Sequence, residues 1–231
     1  PSWVVATVMD DDTWCEVTWG IPEGPYEIVM DDGTAEEFAV WNVKGSENAV
    51  KFTPLAYPCE VIGGRIYVGD GSFPGEFIGT EFTVMIYDDD GLDGTPGTML
   101  DSAGVTVNNY GWVSFDWLSA MIDEGDFYIS MYQTVNSPNV APIGVDMDNP
   151  TYYNSYSNFQ GQGWMMSVYQ DFMIRAWVNG PENDDAIDMV DGTELRFPSR
   201  PLGFGTHWYN NTGVAPRTLP GVEKAATYRA V

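Results

Sequence analysis

The hydrophobic positions of this chain recur with a period of two, in short runs. In PSWVVATVMDDDTWCEVTWG, Val4, Ala6 and Val8 fall on one face. After the acidic turn Asp10–Asp12 the alternation resumes from Trp14 to Trp19. From Tyr26 to about Val178 the runs follow one another: EIVM, EEFAVW, AVKFTPL, VIGGRIYVG, TEFTVMIYD, GVTVNN, GWVSFDW, GDFYISMYQ, APIGVD, GWMMSVY and DFMIRAWV. Each is bounded by Gly, Pro, Asn or Asp, the residues that supply tight turns. Helical spacing is sustained nowhere, and only Leu118–Asp123 offers as much as one helical turn. Short strands at regular intervals predict an all-β chain. An antiparallel β-sandwich or jelly roll is expected, because each half-buried sheet must cover its apolar face with another.

The pattern breaks twice. Ile21–Pro25 breaks the pattern after the first two strands, so residues 1–25 read as a segment of their own and residues 26–178 as the sandwich. From residue 179 the chain turns acidic in GPENDDAIDMVDGTELRF and then loop-rich in RPLGFGTHWYNNTGVAPRTLPG. Such a tail is costly to order without a surface to lie on. It either resumes the fold begun by residues 1–25 or leads towards a further domain.

Composition sharpens this. Hydrophobic residues make up 44% and aromatics 14% of the 231 residues, enough for a large core and too many for disorder. No run approaches the roughly 18 apolar residues that a membrane-spanning helix needs. The formal net charge is −25, from 34 acidic and 9 basic residues. A field of that sign repels nucleic acid and anionic lipid, and suits an extracellular protein, a saline habitat or a bound divalent cation. Two cysteines, Cys15 and Cys59, form no metal-binding pattern. They read as one disulfide in an oxidising compartment or as two separate buried thiols.

The acidic stretch MIYDDDGLDGTPGTML places Asp88, Asp90 and Asp93 around Gly91 and Gly94. Calcium takes six to eight oxygen ligands, and a glycine-rich turn lets carboxylates converge on one. An EF-hand is excluded, because position twelve counted from Asp88 is Met99 rather than a glutamate. The choice left is a calcium loop between strands or a solvated turn. Asp146 and Asp148 in GVDMDNP form another acidic pair. Among the aromatics, Trp112, Phe115 and Trp117 suit a sandwich core. Tyr152, Tyr153, Tyr156 and Trp164 lie among Asn, Ser, Gln and Gly in TYYNSYSNFQGQGW. They form either a long packed loop or a surface for sugars or a protein partner.

Catalytic patterns are sparse. The single histidine is His207, in the loop-rich tail, and no GxSxG, phosphate loop or dinucleotide fingerprint occurs. Carboxylates are so abundant that no particular pair singles itself out for glycoside cleavage. The chain is expected not to be an enzyme.

Residues 1–20, with a Pro–Ser start, a strand, an acidic turn and a strand ending in Thr18–Trp19, resemble the opening of a fibronectin type III domain. The motifs DDGTAEEFAVW, ENAVKFTPLAYPCEVIGGRIYVGD, FTVMIYDDDGLDGTPGTML, NNYGWVSFDW, GDFYISMYQ and YQDFMIRAWV resemble, in order and spacing, a β-sandwich module of large secreted surface proteins of Bacteroidota-type bacteria. The broader architecture is similar to the jelly-roll adhesin modules of bacterial surface proteases, some of which hold calcium. That likeness implies a cation tying the first strands to the last, here through Asp31, Asp32 and Glu36 with Asp171. It further implies an extracellular or cell-surface, non-catalytic module for adhesion, spacing or assembly. Its partners would be other domains of a parent protein or neighbouring subunits, with no nucleic acid and no membrane insertion. Two alternatives stand beside it: a glycan-binding accessory domain of a secreted hydrolase or peptidase, and a filament subunit pairing through exposed strand edges.

Overall fold

The computed structural model describes residues 24–148, 151–169 and 171–180 with their side chains, and the backbone of three further strands near the two chain ends. In chain order the strands are β1 Trp3–Val8, β2 Trp14–Gly20, β3 Pro25–Ile28, β4 Glu37–Ala39, β5 Glu47–Phe52 and β6 Cys59–Tyr67. They continue with β7 Glu81–Asp88, β8 Met99–Thr106, β9 Trp112–Phe115, β10 Ala120–Ile122, β11 Phe127–Gln133 and β12 Ile143–Asp146. The last are β13 Ser155–Asn158, β14 Trp164–Met166, β15 Asp171–Phe172, β16 Ile174–Asn179 and β17 Leu195–Pro198. One 3-10 turn, Leu92–Gly94, is the only helical element among the described residues.

Contacts divide the chain into two units. One comprises Pro1–Gly24, Leu55–Tyr57 and Gly180–Val231; the other comprises Pro25–Pro54 and Pro58–Asn179. In the first, β2 pairs antiparallel with β1 and, on its other side, with β17, so that Val17 faces Leu195.

The second unit is an all-β antiparallel sandwich. Its larger sheet has the order β14-β13-β5-β11-β7-β8, and its smaller one β10-β6-β16-β3 with β9 also on β6. A short sheet β15-β12-β4 completes it. The first and last strands of the unit, β3 and β16, are hydrogen-bonded neighbours, with Glu27 opposite Trp177.

Alternation does the sorting. In β7, Phe82, Val84 and Ile86 are buried while Thr83, Met85 and Tyr87 are half-buried on the other face. In β16, Ile174, Ala176 and Val178 are buried and Arg175 and Trp177 are not. A one-residue slip would turn each set outward, so the register is firmly specified. The inward residues form a dry aromatic and aliphatic core. Phe52 stacks on Phe127 at 5.4 Å, and Ile66, Ile86, Phe115, Ile129 and Phe172 are fully buried.

Three local readings need correcting. Leu118–Asp123 is no helical turn: Ala120–Ile122 pairs with β6 as an edge strand and buries Ala120 and Ile122. The strand expected to begin at GVTVNN begins at Met99, because the acidic loop closes early and leaves an eight-residue partner for β7. Within the polar stretch after Thr151, SYSN forms β13 and lies between β5 and β14.

Cys59 is a free, buried thiol on β6. Its burial, helped by nearby Asp123, pushes its pKa up to about 12, so it is an inert core group at neutral pH. The side chain of Cys15 and all of His207 lie outside the described residues.

Candidate functional site

The topology brings distant acidic residues to one seam. β12 carries Asp146, directly opposite Asp171 on β15, while β4 pairs with the other edge of β12 and sets Glu37 against Val145. The turn between β3 and β4 adds Asp31, Asp32 and Glu36. Asp31, Asp146 and Asp171 are 8%, 1% and 1% exposed, whereas Asp32 and Glu36 face water. The backbone N–H of Asp32 reaches Asp146, and Asp146 faces Asp171, so Asp146 stands between the 31–36 turn and Asp171.

Each buried carboxylate has its own donors. Asp146 accepts the backbone N–H of Asp32 at 2.6 Å on one oxygen and that of Asp148 at 2.9 Å on the other. Asp171 accepts the N–H groups of Tyr152 and Tyr153 at 2.9 and 3.1 Å. Asp31 takes Arg175, whose Nε donates at 3.0 and 3.2 Å and whose Nη2 closes a second contact. At the rim, Glu36 accepts Met147 N–H at 2.9 Å, and Asp32 accepts both the N–H and the hydroxyl of Thr34.

The electrostatics follow from this packing. Burial pushes the carboxyls of Asp146 and Asp171 above their usual range, and their mutual repulsion adds to it for Asp171. Asp32 moves the other way, held low by the Thr34 hydrogen bonds. Arg175 is further from deprotonation than a free guanidinium because it bonds Asp31. Oxygen-only donors suit a hard cation such as calcium. Their placement does not: the inner carboxylates turn to backbone amides and to Arg175. Among the described residues no three such groups are disposed to share a metal ion.

The second acidic region is built as a turn. Asp90 accepts the Thr98 N–H at 2.5 Å and the Thr98 hydroxyl at 2.7 Å. Asp88 accepts the N–H of Asp89 at 2.9 Å, and Asp93 sits exposed in the 3-10 turn with φ 57°. The loop crosses the outer face of the larger sheet, where the Tyr128 hydroxyl donates to the Gly94 carbonyl at 2.5 Å.

The four tyrosine and tryptophan candidates separate. Tyr152 and Tyr153 are 42% and 61% exposed, next to Asp171. Tyr156 and Trp164 lie on β13 and β14 and reach back over the larger sheet. Tyr156 packs edge-on to Tyr128 at 5.3 Å, and Trp164 edge-on to Tyr87 at 5.8 Å.

Two groupings escaped the sequence reading. On the outer face of the smaller sheet, Glu27 bridges Arg65 and Arg175, and both guanidiniums lie over the Trp112 ring at 4.8 and 4.4 Å. Glu27 is held below the usual carboxylate range by Arg65 and Trp177, against the opposing effect of burial. On the outer face of the larger sheet, Glu47 is buried at 6% exposure beneath Tyr87 and beside Tyr132. Alternation in ENAVKF, MIYD and FYISMYQ places these residues on one parity, but it does not say which strands are neighbours.

No family model matches the chain. A stretch of 164 residues, 67% of this chain, is 32% identical to part of Bacillopeptidase F from Bacillus subtilis (strain 168). That stretch spans only 11% of the length of that curated relative. Among solved structures, the clostridial cysteine protease Cwp84 after propeptide cleavage is similar with a TM-score of 0.50. The identity is 14%, over 68% of this chain and 40% of that one. A structure of the cysteine protease and lectin-like domains of Cwp84, a surface layer associated protein of Clostridium difficile, gives a TM-score of 0.44 at 15% identity, over 60% and 33% of the two chains. At such identities the first likeness is one of fold.

Proposed function

We propose that the sandwich is a non-catalytic accessory module of a larger secreted surface protein, serving adhesion, spacing or assembly beside a peptidase. The observation that carries this reading is the match to Bacillopeptidase F: two thirds of this chain corresponds to about a tenth of that protein. A stretch of that size suits one module among several. The fold supports the reading as well. The described side chains converge on aromatic and aliphatic packing, backbone-satisfied carboxylates and stacked arginines.

The terminal segments fit the same picture. Pairing of β2 with both β1 and β17 supports a fibronectin type III-like unit, interrupted by the sandwich and resumed after it. The test is twofold. The purified chain should leave casein and chromogenic peptides intact. Deleting residues 25–179 from the parent should leave its hydrolytic turnover unchanged while reducing its retention at the cell surface. Hydrolysis by the isolated chain that survives inhibitors of contaminating proteases would sink the reading.

Glycan binding is the second reading, favoured by the exposed rings of Tyr152 and Tyr153 among amide side chains. It requires saturable binding of a soluble polysaccharide that Tyr153→Ala abolishes.

A further inference from the structure

The outer face of the larger sheet carries a group that the accessory-module reading leaves unused. Glu47 lies on the parity of Ala49 and Lys51, opposite to the core residues Val50 and Phe52, yet it is only 6% exposed. Its cross-strand neighbours are Tyr132 on β11 and Asn158 on β13. One carboxylate oxygen, Oε2, accepts the Ser130 hydroxyl at 2.9 Å and the Tyr87 hydroxyl at 3.0 Å. Among the described residues no hydrogen bond reaches Oε1.

Nor does a cation. The described ion pairs join Lys51 to Asp126, Arg65 to Glu27, and Arg175 to Glu27 and Asp31. Burial pushes the Glu47 carboxyl above its usual range, as expected of an acid without a counter-charge. Aromatic rings stand around it. Tyr87 and Trp164 meet edge-on at 5.8 Å, and Tyr87, Tyr132 and Trp164 are all half-buried, so the ring cluster borders water.

A desolvated carboxylate without a counter-charge is costly, and aromatic faces attract cations. One ligand relieves both conditions. We propose that Glu47, with Tyr87, Tyr132 and Trp164, receives the primary ammonium of a lysine side chain from a partner protein. The depth of Glu47 favours a thin unbranched stem over a sugar ring. Met166 on β14, on the same face as Trp164 and 56% exposed, gives the methylenes of that stem an apolar neighbour. The net charge of −25 draws basic partners towards this surface.

The experiment titrates the whole chain with Nα-acetyl-lysine N-methylamide while NMR follows the Trp164 indole. Parallel titrations use the same compound acetylated on Nε, and glucosamine. The lysine probe should bind saturably, and blocking its charge should abolish binding. Glu47→Gln retains an acceptor for Ser130 and Tyr87, and should weaken binding about tenfold or more. Asp126→Asn, at the Lys51 ion pair, should leave it unchanged. Should Glu47→Gln fail to fold, Trp164→Leu on the edge strand takes its place and should weaken binding likewise. Absence of saturable shifts, an equal response to the charge-blocked probe, undiminished binding by the variant, or binding of glucosamine in place of the lysine probe would each overturn the proposal.

Discussion

Arg175 donates from Nε to both carboxylate oxygens of Asp31, 144 residues earlier in the chain. The contact joins β16 to the turn that follows β3, so the last strand of the sandwich clamps the segment after the first. The Asp31 side chain is fully buried and that of Arg175 is 13% exposed. Removing one member of such a pair strands the other charge in a low-dielectric setting. Arg175→Met is expected to destabilise the sandwich by about 3–5 kcal/mol. Adding Asp31→Asn should restore part of the loss, since the stranded charge is then gone. Urea denaturation of the two single variants and the double variant checks this. Purely additive losses would show that the pair is not coupled.

Gly64 tests the closeness of β6 to its neighbours. A Cβ there would lie 2.2 Å from the Arg175 carbonyl oxygen and 2.9 Å from the Phe115 ring. The obstacle is backbone, which cannot swing aside. Gly64→Ala should cost at least about 1–3 kcal/mol, the usual range for overpacking. Gly104 on the edge strand β8 is the control, because a Cβ there meets nothing within 4 Å. Gly104→Ala should be neutral or stabilise by about 0.5–1 kcal/mol through reduced freedom of the unfolded chain. Thermal melts of the two variants compared with the parent decide it.

Such close approaches mark how far the sequence could be read. The strands with clean alternation, such as FTVMIYD and RAWV, were legible because one parity is apolar throughout. SYSN was not, because neither parity of β13 is apolar: Ser155 and Ser157 are buried by position between β5 and β14. Ala120–Ile122 was ambiguous at three residues, too short for period two to outweigh period 3.6. At the acidic seam, the association of residues 31–36 with Asp171 came only from the jelly-roll likeness, not from any local pattern. The central place of Asp146 depends on which edge of β12 meets β15, and the clamp by Arg175 on the pairing of β16 with β3. Glu47 was invisible for a related reason. Its burial is produced by rings from β7, β11 and β14, and no local window contains them all.

Calcium is best tested at the seam. Asp31, Asp146 and Asp171 are buried there, Asp31 against the Arg175 guanidinium, with Asp32 and Glu36 at the rim. A cation bound only by the folded chain raises its stability by mass action, by about 2.7 kcal/mol at a hundredfold excess over its dissociation constant. Because the inner carboxylates already hold backbone amides and Arg175, the melting temperature should be the same in calcium and in magnesium at matched ionic strength, and unchanged by chelator. A rise in calcium that Asp146→Asn abolishes and Asp90→Asn in the 88–93 loop preserves would overturn this and put an ion at the seam.

Glu47 gives the stability curve a distinctive pH dependence. Its carboxyl is pushed above the ordinary value of 4.5, chiefly by burial, and the Ser130 and Tyr87 hydroxyls only partly offset this. The folded chain therefore holds a proton that the unfolded chain has already released. Where the native state binds more protons, stability falls as pH rises. Relative to Glu47→Gln, the parent should lose nothing below about pH 4.5, lose stability as pH climbs from there through the raised folded value, and level off above it. Asp146 and Asp171 contribute the same slope to both proteins and cancel in the difference. Paired denaturation curves from pH 4 to pH 8 measure that difference directly. A gap between parent and variant that stays constant with pH would show that Glu47 titrates as an ordinary surface acid, and that the rings around it do not keep water away.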